Sequence, residues 1–407
     1  MRQAPTDRPR LRRLLVWAGL GLTLLVLVLQ VANLSQRGTL PSDDFMAYWA
    51  AGRLNLAGGD PYAPDQLLVL EQRAGLSKSE PIKLWNPPWL LAVVMPFSLP
   101  SYTVGRLLWL VLNLMVTVIC IDWCWRFYGG SKRYRMLALI VGFTFAPTLV
   151  VLKLGQVTPL ILLGIVGFMH FEGQRRWFLA GVLTALALIK PQLLYLFWLA
   201  LLLWAVKERR WVVLLGVVGA CAVATAIAWL PNPAVIAQYL ASLADSSVWD
   251  WMPHTVGGLL RLFLGIEKRW VQFVPAALGA AWLVAYWHRY HSHWEWPEQM
   301  PVVLLVSLVT TPYDLLHDEV VLLIPAIQAL TWLQGVGRRS LTIGAILIYV
   351  AFNSLMLFPV VMRTSDSQHA LFYLGWAASA SLLLLAYLLL RMYFGAGQRM
   401  DPHPVAG

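Results

Sequence analysis

Long apolar runs dominate the chain and are separated by charged residues or by Pro and Gly. Runs of about 20 apolar residues match a bilayer's thickness, and backbone groups in hydrocarbon must be paired within the protein. Unbroken runs therefore predict transmembrane helices, since a β-barrel would show alternation. The runs lie at residues 14–34, 102–126, 134–152, 156–171, 177–206, 211–230, 270–289, 299–333, 340–358 and 368–391. This pattern predicts an all-α polytopic protein with a single membrane domain.

Two of these runs are too long for one helix. The run 177–206 is interrupted at Lys190-Pro191-Gln192, and the run 299–333 contains a polar segment at 310–319. Proline disrupts a helix and ionisable groups are costly in hydrocarbon, so each run is expected to break into two helices at a polar vertex. The segment 87–99 is short for a span and is predicted to re-enter from the outer face; the alternative is that one of the paired helices is a single kinked span. The prediction is a bundle of about 11–13 transmembrane segments.

Basic residues lie in short clusters beside the apolar runs and orient the bundle. By the positive-inside rule, residues 1–13 and 392–407 are predicted to be cytoplasmic tails. The long loops 35–86 and 231–269 then lie on the outer face, where long loops are frequently functional. Amphipathic helices are predicted in these two loops, at 44–57 and 234–247.

Composition supports a membrane protein and excludes several other classes. Hydrophobic residues make up 59% of the 407 residues and charged residues only 13%, about half of the usual share in soluble proteins. The net charge of +11 reflects topology rather than nucleic-acid binding, since no polar basic domain is visible. The three cysteines lie inside apolar runs and predict neither a disulfide nor a zinc site. The group His288, His291 and His293 falls in a predicted cytoplasmic loop and is interpreted as surface, so no metal site is predicted.

A pair of carboxylates follows the first predicted span. Asp43 and Asp44 stand just above the membrane plane, where a carboxylate can accept a proton from a hydroxyl while a lipid-borne leaving group is held below. The alternative is helix capping, because acidic residues are favoured in a first helical turn. Both interpretations can hold together, one acid capping and the other facing substrate.

Several short motifs follow Asp44 in a fixed order. They are Asp44-Phe45-x-x-Tyr48, the turn Gly58-Gly59-Asp60-Pro61-Tyr62, Asn86-Pro87-Pro88, Gly155-Gln156, Lys190-Pro191-Gln192, and Thr311-Pro312-Tyr313 with Asp318 beyond. Over residues 14–333 the series resembles glycosyltransferase family 87, the polyprenyl-phosphate-mannose-dependent mannosyltransferase group of the GT-C superfamily. The chain departs from that pattern at Pro253-His254-Thr255, where an Asn-x-Ser-like element is common, and at His317-Asp318-Glu319.

The resemblance implies a GT-C helical bundle whose first outer loop carries the catalytic carboxylate, which falls on Asp44. It implies an inverting transfer of a hexose, mannose above all, from a polyprenyl-phosphate donor to a hydroxyl of a lipid or glycan acceptor. The implied place is the outer face of a bacterial plasma membrane. One base and one or more cations suffice for such a reaction, and a sugar activated on phosphate needs no nucleotide-binding loop.

Further residues are candidates for binding the donor phosphate or substrate. Lys190 is the strongest cation, because an ammonium inside an apolar run needs an anionic partner, although it could also snorkel to the headgroups. Asp318 could orient the donor head group or cap a helix. The remaining candidates are Asp43, Tyr48, Gln156, His254, Arg261 and His317. The alternative for Gln156 is a packing and hydrogen-bonding role at a tight turn, and the alternative for His254 and Arg261 is an ordinary loop or interface position. No cofactor is predicted; Asp43 with Asp44 could hold a divalent cation, which the reaction does not require.

A protein of another class would share the outer polar cavity. A transporter or flippase of lipid-linked sugars would bind the same donor without chemistry, but such proteins commonly show repeated halves and polar residues near the midplane. The chain shows no internal repeat and has one polar face, which favours the enzyme. A polysaccharide polymerase would require a larger acceptor loop than 231–269.

Overall fold

The computed structural model describes residues 44–244, 253, 255–334, 339–362 and 369–398. Within these ranges the regular structure is entirely helical, which confirms the predicted all-α class. The predicted first span at 14–34 and the tail at 1–13 lie outside the described residues.

The α-helices are numbered here in chain order. They are α1 Asp44–Leu56, α2 Pro64–Arg73, α3 Trp89–Ser98, α4 Tyr102–Phe127, α5 Arg135–Thr144, α6 Ala146–Leu154, α7 Thr158–Gly173, α8 Trp177–Thr184, α9 Tyr195–Lys207, α10 Trp211–Trp229, α11 Val235–Ala244, α12 Val256–Leu264, α13 Val274–Tyr290, α14 Trp296–Thr310, α15 Leu323–Leu333, α16 Arg339–Met362 and α17 His369–Gln398. Short 3₁₀ segments lie between them, at Lys132–Tyr134, Ala185–Ile189, Pro191–Leu194, Arg269–Phe273, His291–His293 and Leu316–Leu322.

The helices include several that can cross a bilayer. Within the described ranges, five are long and apolar enough: Tyr102–Phe127, Trp211–Trp229, Arg269–His293, Leu316–Leu333 and Ser340–Leu357. Two broken pairs raise the number to as many as seven: Lys132–Thr144 with Ala146–Leu154, and Trp177–Ile189 with Pro191–Lys207. A multi-pass membrane protein is therefore confirmed. The predicted 11–13 segments also counted the run 14–34, each half of a broken run, and runs that form shorter helices such as α7.

Both predicted breaks are present in the structure. A 3₁₀ segment ends at Ile189, Lys190 has non-helical φ and ψ of −137° and 73°, and a new 3₁₀ segment begins at Pro191. In the run 299–333, α14 ends at Thr310, and helical structure resumes at Leu316. The predicted short arm 87–99 forms α3, which has 10 residues.

The chain divides into two compact units. Of the described residues, those at 44–122, 133–189 and 212–244 form the first unit, and those at 123–132, 190–211, 253 and from 255 onward form the second. Each unit contains its own group of candidate site residues.

In the first unit, α1 is an interior helix. It occupies the predicted segment 44–57, but burial extends around nearly all of its circumference, unlike an amphipathic helix on a surface. The buried residues of α1 are Phe45, Met46, Ala47, Tyr48, Trp49, Ala50, Ala51, Gly52 and Asn55. The helix lies close against α3, since a Cβ at Gly52 would stand 2.1 Å from Ser98 Oγ. Arg53 Nε donates to Ser98 O at 2.9 Å and anchors the C-terminal turn.

By contrast, α11 in the predicted segment 234–247 carries an exposed apolar face. Ile236, Leu240 and Leu243 follow a helical spacing and are exposed, whereas Val235 is buried. This helix has the amphipathic character predicted for the second outer loop.

In the second unit, aromatic side chains fill the space between α9 and α14. Trp296 is buried and makes edge contacts with Phe197 and Trp204, with ring centroids 5.7 Å apart in both pairs. Ser307 Oγ donates to Leu193 O at 3.0 Å, and Thr311 Oγ1 donates to Gln192 O at 2.9 Å. These hydroxyls satisfy carbonyls freed by the break, so the residues after Lys190 are held in place.

Candidate functional site

The turn Gly155-Gln156 is the structural centre of the first group. Gly155 ends α6 in a left-handed conformation with φ 67° and ψ 33°, which only glycine adopts without strain. A Cβ at Gly155 would lie 2.7 Å from Phe45 Cβ, so the turn lies directly against α1. The glycine therefore allows both the backbone conformation and the close approach of Gln156 to α1.

One face of α4 fixes the same turn through hydrogen bonds. Arg106, Trp109 and Asn113 lie on successive turns of this face. Arg106 Nη2 donates to Leu152 O and Lys153 O at 2.9 Å each, and Trp109 Nε1 donates to Gly155 O at 2.7 Å. Asn113 Nδ2 donates to Gln156 O at 3.1 Å. The carbonyls at the C-terminal end of α6 thereby obtain partners, which stabilises the turn.

The structure brings together three of the predicted site residues, Asp44, Tyr48 and Gln156. Gln156 Nε2 donates to Asp44 Oδ2, and Tyr48 Oη donates to Gln156 Oε1 at 3.0 Å. Asp44 is the first residue of α1, and Tyr48 lies one turn later on the same face. Tyr48 and Gln156 are 4% and 5% exposed, whereas Asp44 is half-buried. The site is thus a partly accessible carboxylate backed by a buried amide and phenol.

The turn after α1 has the structure that its sequence predicts. The helix ends at Leu56, Gly58 has a φ of +72°, and Tyr62 N donates to Asp60 Oδ1 at 2.9 Å in an Asx turn. Tyr62 Oη donates to Asn86 O at 3.2 Å, and Asn86 Nδ2 donates to Ile189 O at 3.3 Å. Burial raises the pKa of Tyr62 above its usual range, with smaller contributions from Tyr239 and Asp60, so Tyr62 stays a neutral donor.

The helix α2 in the same loop carries a buried carboxyl group that the sequence analysis did not identify. Glu71 Oε2 accepts from Ile82 N at 2.9 Å, while Oε1 has no hydrogen-bond partner among the described residues. Burial raises the pKa of Glu71 to about 7, and the bond from Ile82 opposes this shift. Glu71 therefore titrates near neutral pH. Its hydrogen bond from Ile82 N also connects the segment before Trp85 to α2.

The second unit contains a cluster around Lys190. Lys190 Nζ lies 2.6 Å from Asp318 Oδ1 and 3.2 Å from His317 Nε2, and the two ion-pair side chains are only 12% and 4% exposed. An ammonium only donates, so His317 Nε2 is the acceptor in its contact with Lys190. Lys190 thus has a buried anionic partner within its own unit.

Two further carboxyl groups lie beside this cluster. Asp314 and Glu319 are each 3% exposed, and Asp314 Oδ1 and Glu319 Oε2 have no hydrogen-bond partner in the described part of the chain. Both interact electrostatically with Asp318. In the sequence these acids stand out only as part of the polar break, although several carboxyls within an otherwise apolar run are a usable signal for a buried site.

The remaining predicted residues lie elsewhere. Arg261 on α12 is 1% exposed; its Nη1 donates to Gln272 Oε1 at 2.7 Å and its Nη2 to Ile266 O at 2.8 Å. These contacts brace the turn that follows α12. Asp43 and His254 lie outside the described residues. Within the described ranges, no group of three or more His, Cys, Asp or Glu side chains is arranged to hold a metal ion.

The chain matches the model of a known protein family. The model of glycosyltransferase family 87 matches residues 85–312, more than half of the chain. Gln156, Lys190 and Arg261 fall inside the matched segment, whereas Asp44 and Asp318 fall outside it. No curated protein matches the chain. No solved structure matches it either. The family match covers the greater part of an all-helical membrane protein, and the chain therefore belongs to glycosyltransferase family 87.

Proposed function

We propose that this membrane glycosyltransferase moves a hexose, specifically mannose, from a polyprenyl-phosphate carrier to a hydroxyl group of a lipid or glycan acceptor. The reaction takes place at the outer face of a bacterial plasma membrane and inverts the anomeric centre. The observation that carries the proposal is the Asp44 carboxylate at the start of α1, held through Oδ2 by Gln156 and half-buried. A partly accessible carboxylate in a fixed orientation has the properties of a general base.

In the proposed reaction, Asp44 takes the proton of the acceptor hydroxyl as that oxygen attacks the anomeric carbon. The bond between the anomeric carbon and the phosphate oxygen breaks, and its electron pair leaves with the polyprenyl phosphate. A single displacement inverts the anomeric carbon and needs no second carboxylate as nucleophile. Asp44 lies in the first turn of α1, at the positive end of the helix dipole.

Charge also develops on the departing phosphate. We assign its stabilisation to Lys190, an ammonium whose position is fixed by Asp318 and His317. A cation that is already oriented does not have to reorganise as the leaving group gains charge. This preorganisation is the main source of electrostatic catalysis. His254, Arg261 and Asp43 stay second-rank candidates for substrate contacts.

A transfer assay tests the proposal directly. The full chain is purified, reconstituted in liposomes and supplied with polyprenyl-phosphate-[¹⁴C]mannose and a lipid and glycan extract of bacterial membranes. We expect thin-layer analysis to show consumption of the donor, free polyprenyl phosphate and labelled acceptor. A change in donor sidedness without consumption would instead identify a transporter.

Two controls refine the result. A parallel reaction with polyprenyl-phosphate-[¹⁴C]glucose tests the sugar, and faster transfer from the glucose donor would contradict mannose specificity. The anomeric configuration of the product, measured by NMR coupling constants, tests the displacement. Retention of the donor's configuration would contradict a single inverting step and the assignment of Asp44 as base rather than nucleophile.

A further inference from the structure

The side chain of Gln156 bridges Asp44 and Tyr48 in a defined orientation. A carboxylate only accepts hydrogen bonds, so the amide nitrogen must face Asp44 and the amide oxygen must face Tyr48. Tyr48 Oη then has to donate, and it lies 3.0 Å from Gln156 Oε1. The phenol thus determines which end of the amide meets the carboxylate.

The backbone beneath this amide is fixed as well. Gln156 N donates to Val151 O at 3.1 Å, and Gln156 O accepts from Asn113 Nδ2 at 3.1 Å. Tyr48 has its own support, because its ring lies 6.2 Å from the Trp109 ring, which also contacts Phe45. Gln156 is therefore held by its backbone hydrogen bonds and Tyr48 by its contact with the Trp109 ring. Both side chains are nearly excluded from solvent.

We propose that Tyr48 and Gln156 are positioning residues that hold the Asp44 carboxylate in one orientation, with Oδ2 engaged and Oδ1 directed to the acceptor hydroxyl. This inference rests on the proposed role of Asp44 as general base. The expectation from sequence is different: Tyr48 is a candidate for substrate contact, and Gln156 is either a substrate contact or a hydrogen-bonding residue at a tight turn. Positioning through a buried amide raises the rate of the chemical step without changing substrate affinity.

The first variant is Tyr48→Phe, which removes one hydroxyl and keeps the ring. Gln156 then loses the bond that fixes its amide, so kcat for transfer from polyprenyl-phosphate-[¹⁴C]mannose is expected to fall about tenfold while the donor KM changes less than about twofold. Gln156→Leu removes the bond to Asp44 itself and is expected to lower kcat about thirtyfold or more. The double variant is expected to equal Gln156→Leu alone, because both changes act through the same carboxylate.

The chain contains a matched control in its second unit. Tyr387 Oη donates to Gln328 Oε1, and these side chains are 3% and 6% exposed. Tyr387→Phe therefore removes the same hydroxyl from the same kind of buried Tyr–Gln bond. We expect its thermal stability to fall as much as that of Tyr48→Phe, with kcat within about twofold of wild type.

The outcomes separate this inference from the proposed function. If Asp44→Asn retains transfer, the proposed base is wrong and the positioning role fails with it. If Asp44→Asn loses transfer while Tyr48→Phe behaves like Tyr387→Phe, the positioning role alone is overturned. A raised donor KM with unchanged kcat would also overturn it, since that result indicates substrate contact. Gln156→Met, similar in length to Gln, replaces Gln156→Leu if the latter does not elute as a monodisperse species.

Discussion

Replacing Lys190 by Met is expected to destabilise the fold through the carboxylate it leaves behind. Lys190 Nζ lies 2.6 Å from Asp318 Oδ1, and both side chains are largely buried. At an effective dielectric constant of about 20, attraction at this separation is roughly 6 kcal/mol, and the cost of removing both charges from water offsets part of it. Removing one partner of such a pair typically costs about 3–5 kcal/mol, because the other charge stays buried without compensation.

The assay is a double-variant cycle in the free energy of unfolding. Wild type, Lys190→Met, Asp318→Asn and the double variant are unfolded by SDS in mixed micelles. Each single variant is expected to lose about 3–5 kcal/mol. The double variant is expected to recover at least about 2 kcal/mol relative to Lys190→Met, since no unpaired charge remains. Additive losses, or a loss below about 1 kcal/mol in Lys190→Met, would refute this account of the pair.

The transfer rates of the same variants distinguish two roles of Lys190, stabilising the leaving phosphate and neutralising Asp318. If Lys190 stabilises the leaving phosphate, the double variant recovers stability but transfers sugar no faster than Lys190→Met. If its role is confined to neutralising Asp318, transfer recovers together with stability.

Three further predictions concern the described loops and turns. Gly155→Ala is expected to cost at least about 2 kcal/mol in the SDS titration and to lower transfer, because its φ of +67° is strained for alanine and its Cβ would meet Phe45. Burial raises the pKa of Glu71 from 4.5 to about 7, so the unfolded chain releases this proton at lower pH than the folded chain, and the free energy of unfolding falls as pH rises through that window. Glu71→Gln is expected to remove this slope from SDS unfolding measured between about pH 5 and 8. Arg261→Met leaves Gln272 Oε1 without its partner and is expected to lower the free energy of unfolding by about 2–3 kcal/mol in the same titration.

Much of the fold could be predicted from sequence because its signals are local. Hydrophobic run length identifies the spans, and proline with a charged residue inside an apolar run identifies the break at Lys190. The turn after α1 could likewise be predicted from Gly58 and Asp60, whose residue types favour that conformation. Burial was harder to predict: the composition of 44–57 gives no indication that α1 is enclosed on nearly all sides.

The side-chain pairings could not be predicted in the same way. Asp44 and Gln156 are separated by 112 positions, and Lys190 and Asp318 by 128. Periodicity carries no information at such distances, so the sequence identified these residues singly, by type and by family resemblance. The requirement that a buried ammonium has an anionic partner predicted that Lys190 needs one, but only the fold shows that the partner is Asp318.

The most direct measurement for the central claim is the transfer rate of Asp44→Asn beside Asp60→Asn. Asn at 44 keeps the size of the side chain and an oxygen that accepts from Gln156, but it cannot take a proton. Asn at 60 keeps the oxygen that accepts from Tyr62 N in the Asx turn. We expect Asp44→Asn to elute like wild type and to lose transfer by at least about a hundredfold, with Asp60→Asn within about twofold of wild type. Transfer by Asp44→Asn at the wild-type rate would contradict the account and locate the base on another residue.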